Sequence, residues 1–214
     1  MIKKIIFILL AAVTVFAVSC SDPDNNQTPP DDIQGGTEQN GAELDPDPTS
    51  PYSTQDLKAF MAEKYNAARE AYFWFAVSGM PADEAVDMNN IQQVGDHYYY
   101  KVGHETIKTL ADLENYLKTI FSDKLTEGLL KMYPDNYIDI DGELWAADAS
   151  RGTNILVGDV IFSISEKSDS KIVYNAYVEM LSDDMEIVES IETYTYNYEK
   201  TENGWRWTKF SIFE

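Results

Sequence analysis

The sequence predicts an α+β fold in which three N-terminal helices pack on a curved antiparallel β-sheet. From residue 54 to Pro134 the apolar residues recur at helical spacing, and after Pro134 they alternate with polar residues as in strands. Helices first and a run of strands afterwards is an element order of α+β folds. The roughly 160 residues of 54–214 suit a single domain with one core.

The first helix is predicted to begin at Ser53 or Thr54, where a hydroxyl can cap free backbone amides, and to end at Gly79 before Pro81. Its C-terminal end is heavily aromatic. Such residues can form a ligand-binding box, but a helix lying on a sheet needs the same residues for its core, and the second reading is favoured. The aromatic residues are Tyr72, Phe73, Trp74 and Phe75.

Two further helices are marked by their caps. Thr109 and Asp112 have the spacing of a capping box, and Ser122 can cap a third helix that Pro134 ends. Between the first and second helices, residues 94–103 read as a short strand or hairpin arm.

The C-terminal part predicts an antiparallel meander. Residues 160–164 and 172–180 alternate apolar with polar, and residues 186–213 give two more strands joined at Asn203-Gly204, a dipeptide that favours hairpin turns. Trp205 and Trp207 share one side of the last strand, which raises the hypothesis of an exposed aromatic patch on an adhesive surface protein.

The stretch "YIDIDGELWAADASRGTN", residues 137–154, is rich in carboxylates. As a calcium loop it fails at both ends, because Tyr137 stands at the first ligand position and Asp148 where a glutamate is expected. Asp141-Gly142 between two alternating runs instead predicts a β-hairpin. A catalytic carboxylate pair at Asp139 and Asp141 is disfavoured, because nothing distinguishes one acid as the proton donor.

The same stretch supplies the candidate site, a partner-binding surface formed by Asp141, Glu143, Asp148 and Arg151. For Arg151 a structural role is favoured, either binding carbonyls of the hairpin or pairing with Asp148. If exposed, it can instead bind a carboxylate of a partner.

No catalytic residue, metal site or cofactor is predicted. His97 and His104 lack a close metal-binding spacing, and the sequence has no glycine-rich phosphate loop and no G-x-S-x-G motif. Cys20 is the only cysteine, so the domain after it offers no disulfide or thiol nucleophile.

Residues 1–19 have the features of a secretory signal peptide: Lys3 and Lys4, then an apolar run too short to span a bilayer. The sequence "AVSC" at its end resembles the lipobox of bacterial lipoproteins. That resemblance implies cleavage before Cys20 and lipidation of its sulfur, so we expect an exported protein anchored by lipid to a bacterial membrane in the cell envelope. The alternative is an ordinary signal peptide followed by a chance cysteine.

Residues 20–53 predict a disordered acidic tether, because Pro, Asp, Asn, Gln, Thr and Gly dominate and little apolar surface is available to bury. Residues 54–214 carry 14 basic and 29 acidic side chains, a formal charge of −15. This charge repels nucleic acid and anionic lipid surfaces, and attracts a cationic protein surface. Solubility alone also explains such acidity, and is the commoner reason.

The order of elements resembles cystatin-like and NTF2-like cones. More closely, the order "AREAYFWF", "TLADLENYLKTIFSDKLTEGLL", "YIDIDGELWAAD" and "SRG", followed by strands, resembles the IseA (YoeB) type of secreted inhibitor of cell-wall DL-endopeptidases and related lipoproteins. The likeness covers residues 67–181. It implies a non-enzymatic protein that occupies the cleft of an NlpC/P60-type cysteine endopeptidase. The lipid anchor expected here departs from the secreted form.

The functional expectation is therefore a membrane-anchored, protein-binding envelope lipoprotein whose partner is a cell-wall hydrolase. The alternative is an NTF2-like small-ligand carrier or enzyme with an apolar cavity between the first helix and the sheet. The sequence does not predict an oligomeric state.

Overall fold

Three helices form where caps and apolar spacing predict them. They are α1 (Thr54–Ala76), α2 (Leu110–Ile120) and α3 (Asp123–Met132). Ser53 accepts a hydrogen bond from the backbone N–H of Asp56, and Thr109 and Asp112 form the reciprocal capping box at the start of α2. The predicted helix starts are confirmed.

The computed structural model describes Pro48 and residues 53–86, 89–148 and 150–213, all within one unit, Asp45–Glu214. The predicted signal peptide, Cys20 and nearly all of the predicted tether lie outside these residues. Among the described helices, none combines the length and the apolar character needed to cross a bilayer.

Within the residues that the structure describes, eight strands form two four-stranded antiparallel sheets. The small sheet has the order β1-β2-β4-β3, and the large sheet is a meander in the order β5-β6-β7-β8. The strands are β1 (Ile91–Val94), β2 (His97–Lys101), β3 (Tyr137–Ile140), β4 (Glu143–Ala147), β5 (Val157–Lys167), β6 (Lys171–Leu181), β7 (Val188–Thr201) and β8 (Gly204–Lys209). The predicted α+β class is confirmed, but the chain builds two sheets where one was expected.

The second sheet forms because β2 pairs with β4, although α2 and α3 lie between these strands in the sequence. Tyr99 on β2 pairs with Ala147 on β4, and Lys101 pairs with Trp145. Local periodicity indicates that β2 and β4 are strands, but it contains no information about which strand lies beside which.

One aromatic core joins α1 to the large sheet. The ring centroid of Tyr65 lies 4.8 Å from that of Phe162 on β5, 5.9 Å from Tyr174 on β6 and 5.3 Å from Tyr196 on β7. Burial raises the pKa of Tyr174 to about 12. Aromatic clusters of this kind add favourable edge and offset contacts to the buried apolar area.

The last strand closes this core instead of presenting a surface. Trp207 on β8 donates its indole N–H to the carbonyl of Lys64 at 3.2 Å, and its own carbonyl accepts from Ser122 at 2.9 Å. Trp205 and Trp207 are only 7% and 1% exposed. The hypothesis of an exposed Trp205–Trp207 patch is therefore wrong.

Candidate functional site

The predicted hairpin is present at Asp141-Gly142. Ile140 pairs with Glu143, so the turn contains two residues, and both have the left-handed conformation, with φ of 55° at Asp141 and 83° at Gly142. Asp139 accepts a hydrogen bond from the Gly142 N–H at 2.9 Å. The Asp139 carboxylate therefore stabilises the turn, which accounts for it without a metal or a catalytic role.

Glu143, the second candidate at the hairpin tip, is bound within the chain. Its carboxylate lies 2.6 Å from the ammonium group of Lys101 on β2, and both side chains are about half exposed. This hydrogen bond raises the pKa of Lys101. The free negative charge at the tip is therefore carried by Asp141.

Asp148 and Arg151 lie beyond the other end of β4. The N–H of Asp148 donates to the carbonyl of Tyr98 at 2.8 Å, continuing the small sheet. A strand rises about 3.3 Å per residue, so β4 places roughly 15 Å between Glu143 and Asp148. The structure thus divides the four predicted residues between two surfaces.

Arg151 has a different partner from the two expected. Its guanidinium carbon lies 5.0 Å from the centre of the Tyr133 ring, at the C-terminal end of α3. The backbone N–H of Arg151 donates to the carbonyl of Val77 at 2.8 Å. No carboxylate pairs with it within the described residues. The predicted Asp148 pair is not formed, whereas the exposed guanidinium can still meet a partner's acid.

Both histidines make contacts with nearby residues of the chain. His104 accepts from the N–H groups of Thr106 and Ile107 at 3.3 and 3.1 Å, and its ring lies against Trp74. In the part of the chain that the structure describes, no group of three His, Cys, Asp or Glu is arranged to hold a metal ion.

The aromatic end of α1 divides between the core and a surface groove. Tyr72, Trp74 and Phe75 pack against rings of the core, and Trp74 is only 5% exposed. Phe73 is more open, and with one side of Trp74 it borders a groove of about 590 Å³. The groove is lined by Asn66, Arg69, Glu70, Phe73, Trp74, Ser78, Gly79 and Pro81. Core packing, the favoured interpretation of this aromatic run, holds for Trp74 and Phe75, whereas the groove itself was not predicted.

In the same region, the space around position 79 permits only glycine. A Cβ there would clash with the hydroxyl of Tyr100, which donates to the carbonyl of Met80 at 2.8 Å. Tyr137 also bonds this turn: it donates to the Trp74 carbonyl at 2.9 Å and accepts from the Met80 N–H at 3.1 Å. Two buried tyrosines of the small sheet therefore fix one wall of the groove.

Together these features define an acidic α+β domain with an exposed two-residue hairpin turn and an open groove beside the end of α1. No protein-family model matches the chain, and a search of curated proteins finds no match. The resemblance to the IseA type of inhibitor therefore stays a prediction.

Proposed function

We propose that the protein is a non-enzymatic, membrane-anchored envelope lipoprotein that binds a cationic protein partner, in the manner of an inhibitor of NlpC/P60-type DL-endopeptidases. The observation that carries the proposal is the hairpin tip, where Asp141 is exposed and held by a two-residue turn. A tight turn with an exposed charge is suited to a cleft, because little conformational entropy is lost when a preformed turn binds.

The charge of the domain supports a basic partner. The −15 of residues 54–214 attracts a cationic surface and speeds encounter at low salt, while repelling nucleic acid. The lipidation of Cys20 that the lipobox resemblance implies would keep the domain near the membrane, on a tether that lets it reach away from the bilayer.

Within the fold class, we propose a cystatin-like or NTF2-like arrangement of α1 against the large sheet. The contacts of Tyr65 with three strands support it. The same rings occupy the space in which an NTF2-like cavity would lie, which weighs against the small-ligand alternative. That alternative would now depend on the open groove beside Arg69, Phe73 and Trp74.

The proposal is tested by mixing the full chain with an NlpC/P60 endopeptidase of its own organism and measuring cleavage of a peptidoglycan stem peptide. Binding should slow cleavage, and adding salt should weaken binding because the attraction is between opposite charges. A chain that neither binds nor slows any such enzyme would refute the inhibitor proposal.

The hairpin is tested by Asp141→Asn, since asparagine tolerates the left-handed conformation and only the charge is removed. We expect affinity for the hydrolase to fall about two- to fivefold, as for an exposed ion pair, with an unchanged unfolding midpoint. Glu105→Gln is the matched control, because Glu105 is equally exposed in a loop before α2. Equal effects of the two changes would remove the hairpin from the binding surface.

A further inference from the structure

The outward side of the large sheet carries exposed apolar residues on three adjacent strands. On β6, Ile172, Tyr174, Ala176 and Val178 are buried in the core, so the alternate residues point to the opposite side. There Ile161 is 67% exposed, Ile191 64% and Tyr177 37%. We call Ile161, Tyr177 and Ile191 the outer patch.

Strand register makes the outer patch continuous. Ile161 on β5 pairs directly with Tyr177 on β6, and Ile191 on β7 pairs with Glu179, two residues along β6 from Tyr177. Direct and diagonal neighbours of this kind lie within side-chain reach. Exposed apolar surface that extends across several strands is unusual on a soluble domain and is often a binding site.

Carboxylates lie in the outer patch and at its end nearest the turn between β6 and β7. Glu179 lies in it, and Asp159 lies in the bulge opposite Glu179 on β5. The turn between β6 and β7 adds Asp183, Asp184 and Glu186, and the start of β7 adds Glu189. Residues 172–199 and 152–166 contain no lysine or arginine. The lysines of these strands, Lys167, Lys171 and Lys200, lie at the end of the sheet away from the β6–β7 turn, and Lys171 pairs with Glu199.

We propose that the outer patch docks a segment of a basic protein in which aliphatic side chains cover Ile161, Tyr177 and Ile191 while lysine or arginine side chains meet the neighbouring carboxylates. The choice rests on charge complementarity. A second copy of this chain would bring two acidic surfaces together, and an anionic lipid surface would be repelled. This inference rests on the proposed function only in requiring a positively charged partner, because the outer patch and the hairpin are different surfaces.

The face of the sheet, and not its edge, is the surface proposed. β5 is an edge strand, but its register shifts between Val157 and Val160 and again between Ile164 and Glu166. Such bulges twist an edge and hinder the addition of another strand. Docking by side chains on the face does not require that edge.

The test uses the full chain labelled at isoleucine methyl groups and three synthetic peptides of eight residues. One alternates Lys with Leu, one Lys with Ser, and one Glu with Leu. We expect the Lys–Leu peptide to shift the methyl resonances of Ile161 and Ile191, but not that of Ile138 on β3. The Lys–Ser peptide should bind about tenfold more weakly because it lacks the apolar contacts, and the Glu–Leu peptide should not bind.

Variants identify the surface. Ile161→Ser with Ile191→Ser should weaken binding of the Lys–Leu peptide about tenfold, whereas Met132→Ser, an equally exposed residue on α3, should not. Glu179→Gln should weaken it about two- to fivefold and Glu105→Gln should not. All five positions are at least partly exposed, so folding should be retained.

Several results would overturn the proposal: methyl shifts centred away from Ile161 and Ile191, affinity unchanged in the double variant, binding to anionic vesicles, or a concentration-dependent dimer that the double variant abolishes. The two proposals fail separately. If Asp141→Asn weakens binding to the hydrolase while the outer patch binds no cationic peptide, only this inference fails. If the patch binds the peptide but no hydrolase is inhibited, only the inhibitor proposal fails.

Discussion

At the scale of single residues, Tyr137 connects separate parts of the chain through one hydroxyl. The group donates to the Trp74 carbonyl at the end of α1 and accepts from the N–H of Met80, while its ring packs on Phe75. Burial raises the pKa of Tyr137, so the hydroxyl stays protonated and able to donate. Two buried backbone groups depend on this single atom.

We predict that Tyr137→Phe lowers the free energy of unfolding by about 1–3 kcal/mol, because the Trp74 carbonyl and the Met80 N–H would then be buried without that partner. Urea unfolding of the variant measures the change. Tyr98→Phe is the control, since Tyr98 is an exposed residue of β2, and it should change stability by less than about 0.5 kcal/mol. Equal losses in the two variants would contradict the role given to the Tyr137 hydroxyl.

The two turn glycines Gly142 and Gly204 show which residue-level predictions succeed. At Asp141-Gly142 both residues have positive φ, as the dipeptide predicts. At Asn203-Gly204 only the glycine does, and the two-residue loop is Glu202-Asn203, with Thr201 pairing Gly204. The hairpin was predicted correctly, but its loop lies one residue earlier, so the glycine takes its positive φ at the first residue of β8 and not within the loop.

We predict opposite effects for two glycine-to-alanine changes. Gly142→Ala should destabilise by about 1–2 kcal/mol, because φ is +83° there and a Cβ is strained despite the open space around it. Gly128→Ala, in α3, should stabilise by up to about 1 kcal/mol, since alanine is the better helix former and nothing lies near its Cβ. Thermal and urea unfolding measure the change in stability of each variant. Changes of the same sign would contradict the argument from backbone conformation.

At the scale of elements, the start of α2 depends on one reciprocal pair. Thr109 accepts from the N–H of Asp112 at 3.1 Å, and the Asp112 carboxylate accepts from the N–H groups of Thr109 and Lys108 at 3.0 and 3.1 Å. The hydrogen bond with Thr109, followed by that with the Lys108 N–H, lowers the pKa of Asp112. Charge at this position also favours the positive end of the helix.

We predict that Thr109→Ala costs about 1 kcal/mol of stability, the usual contribution of a capping hydroxyl. Thr119→Ala is the matched control, because Thr119 lies within α2 and bonds only the Tyr116 carbonyl behind it. Its effect should be small or stabilising, since alanine has the higher helix propensity. A Thr109→Ala variant as stable as the wild type would show that the cap does not limit stability.

The pH dependence of the same cap has a definite sign. Because the folded pKa of Asp112 is lowered, its stabilising contribution is fully present above the ordinary value near 4 and is lost as the pH falls through the folded value. Asp112→Asn should therefore be less stable than the wild type at pH 7, with the difference shrinking at lower pH. Unfolding midpoints at several pH values measure this, and a constant difference down to pH 2 would contradict it.

Local elements were predictable from sequence, whereas their long-range pairing was not. The caps at Thr109 and Ser122 and the Asp141-Gly142 turn depend on neighbours within four residues. The pairing of β2 with β4, which creates the second sheet, joins positions more than 40 residues apart. For the same reason the contact of Arg151 with Tyr133, and the burial of Trp205 and Trp207, could not be read from periodicity.

At the scale of the whole molecule, the net negative charge lowers the stability of the fold, although it would help to attract a basic partner. Residues 54–214 carry −15, yet only a few ion pairs form between described residues, and they are exposed or half exposed. Exposed pairs contribute little, about 0–1 kcal/mol each. The carboxylates around the outer patch therefore repel one another without local compensation, and screening them should stabilise the folded state.

We predict that raising NaCl from 20 to 300 mM stabilises the full chain by about 1 kcal/mol, which for a domain of this size raises Tm by roughly 2–4 °C. A variant with Asp183→Asn, Glu186→Gln and Glu189→Gln should have a higher Tm at 20 mM NaCl and a smaller rise with salt, because three repelling charges are gone. If Tm instead falls as salt is added, attractive pairs such as Lys101–Glu143 outweigh the repulsion. The acidity around the outer patch would then not lower the stability of the fold. It could no longer be explained as a loss of stability that is retained because it favours binding of a basic partner.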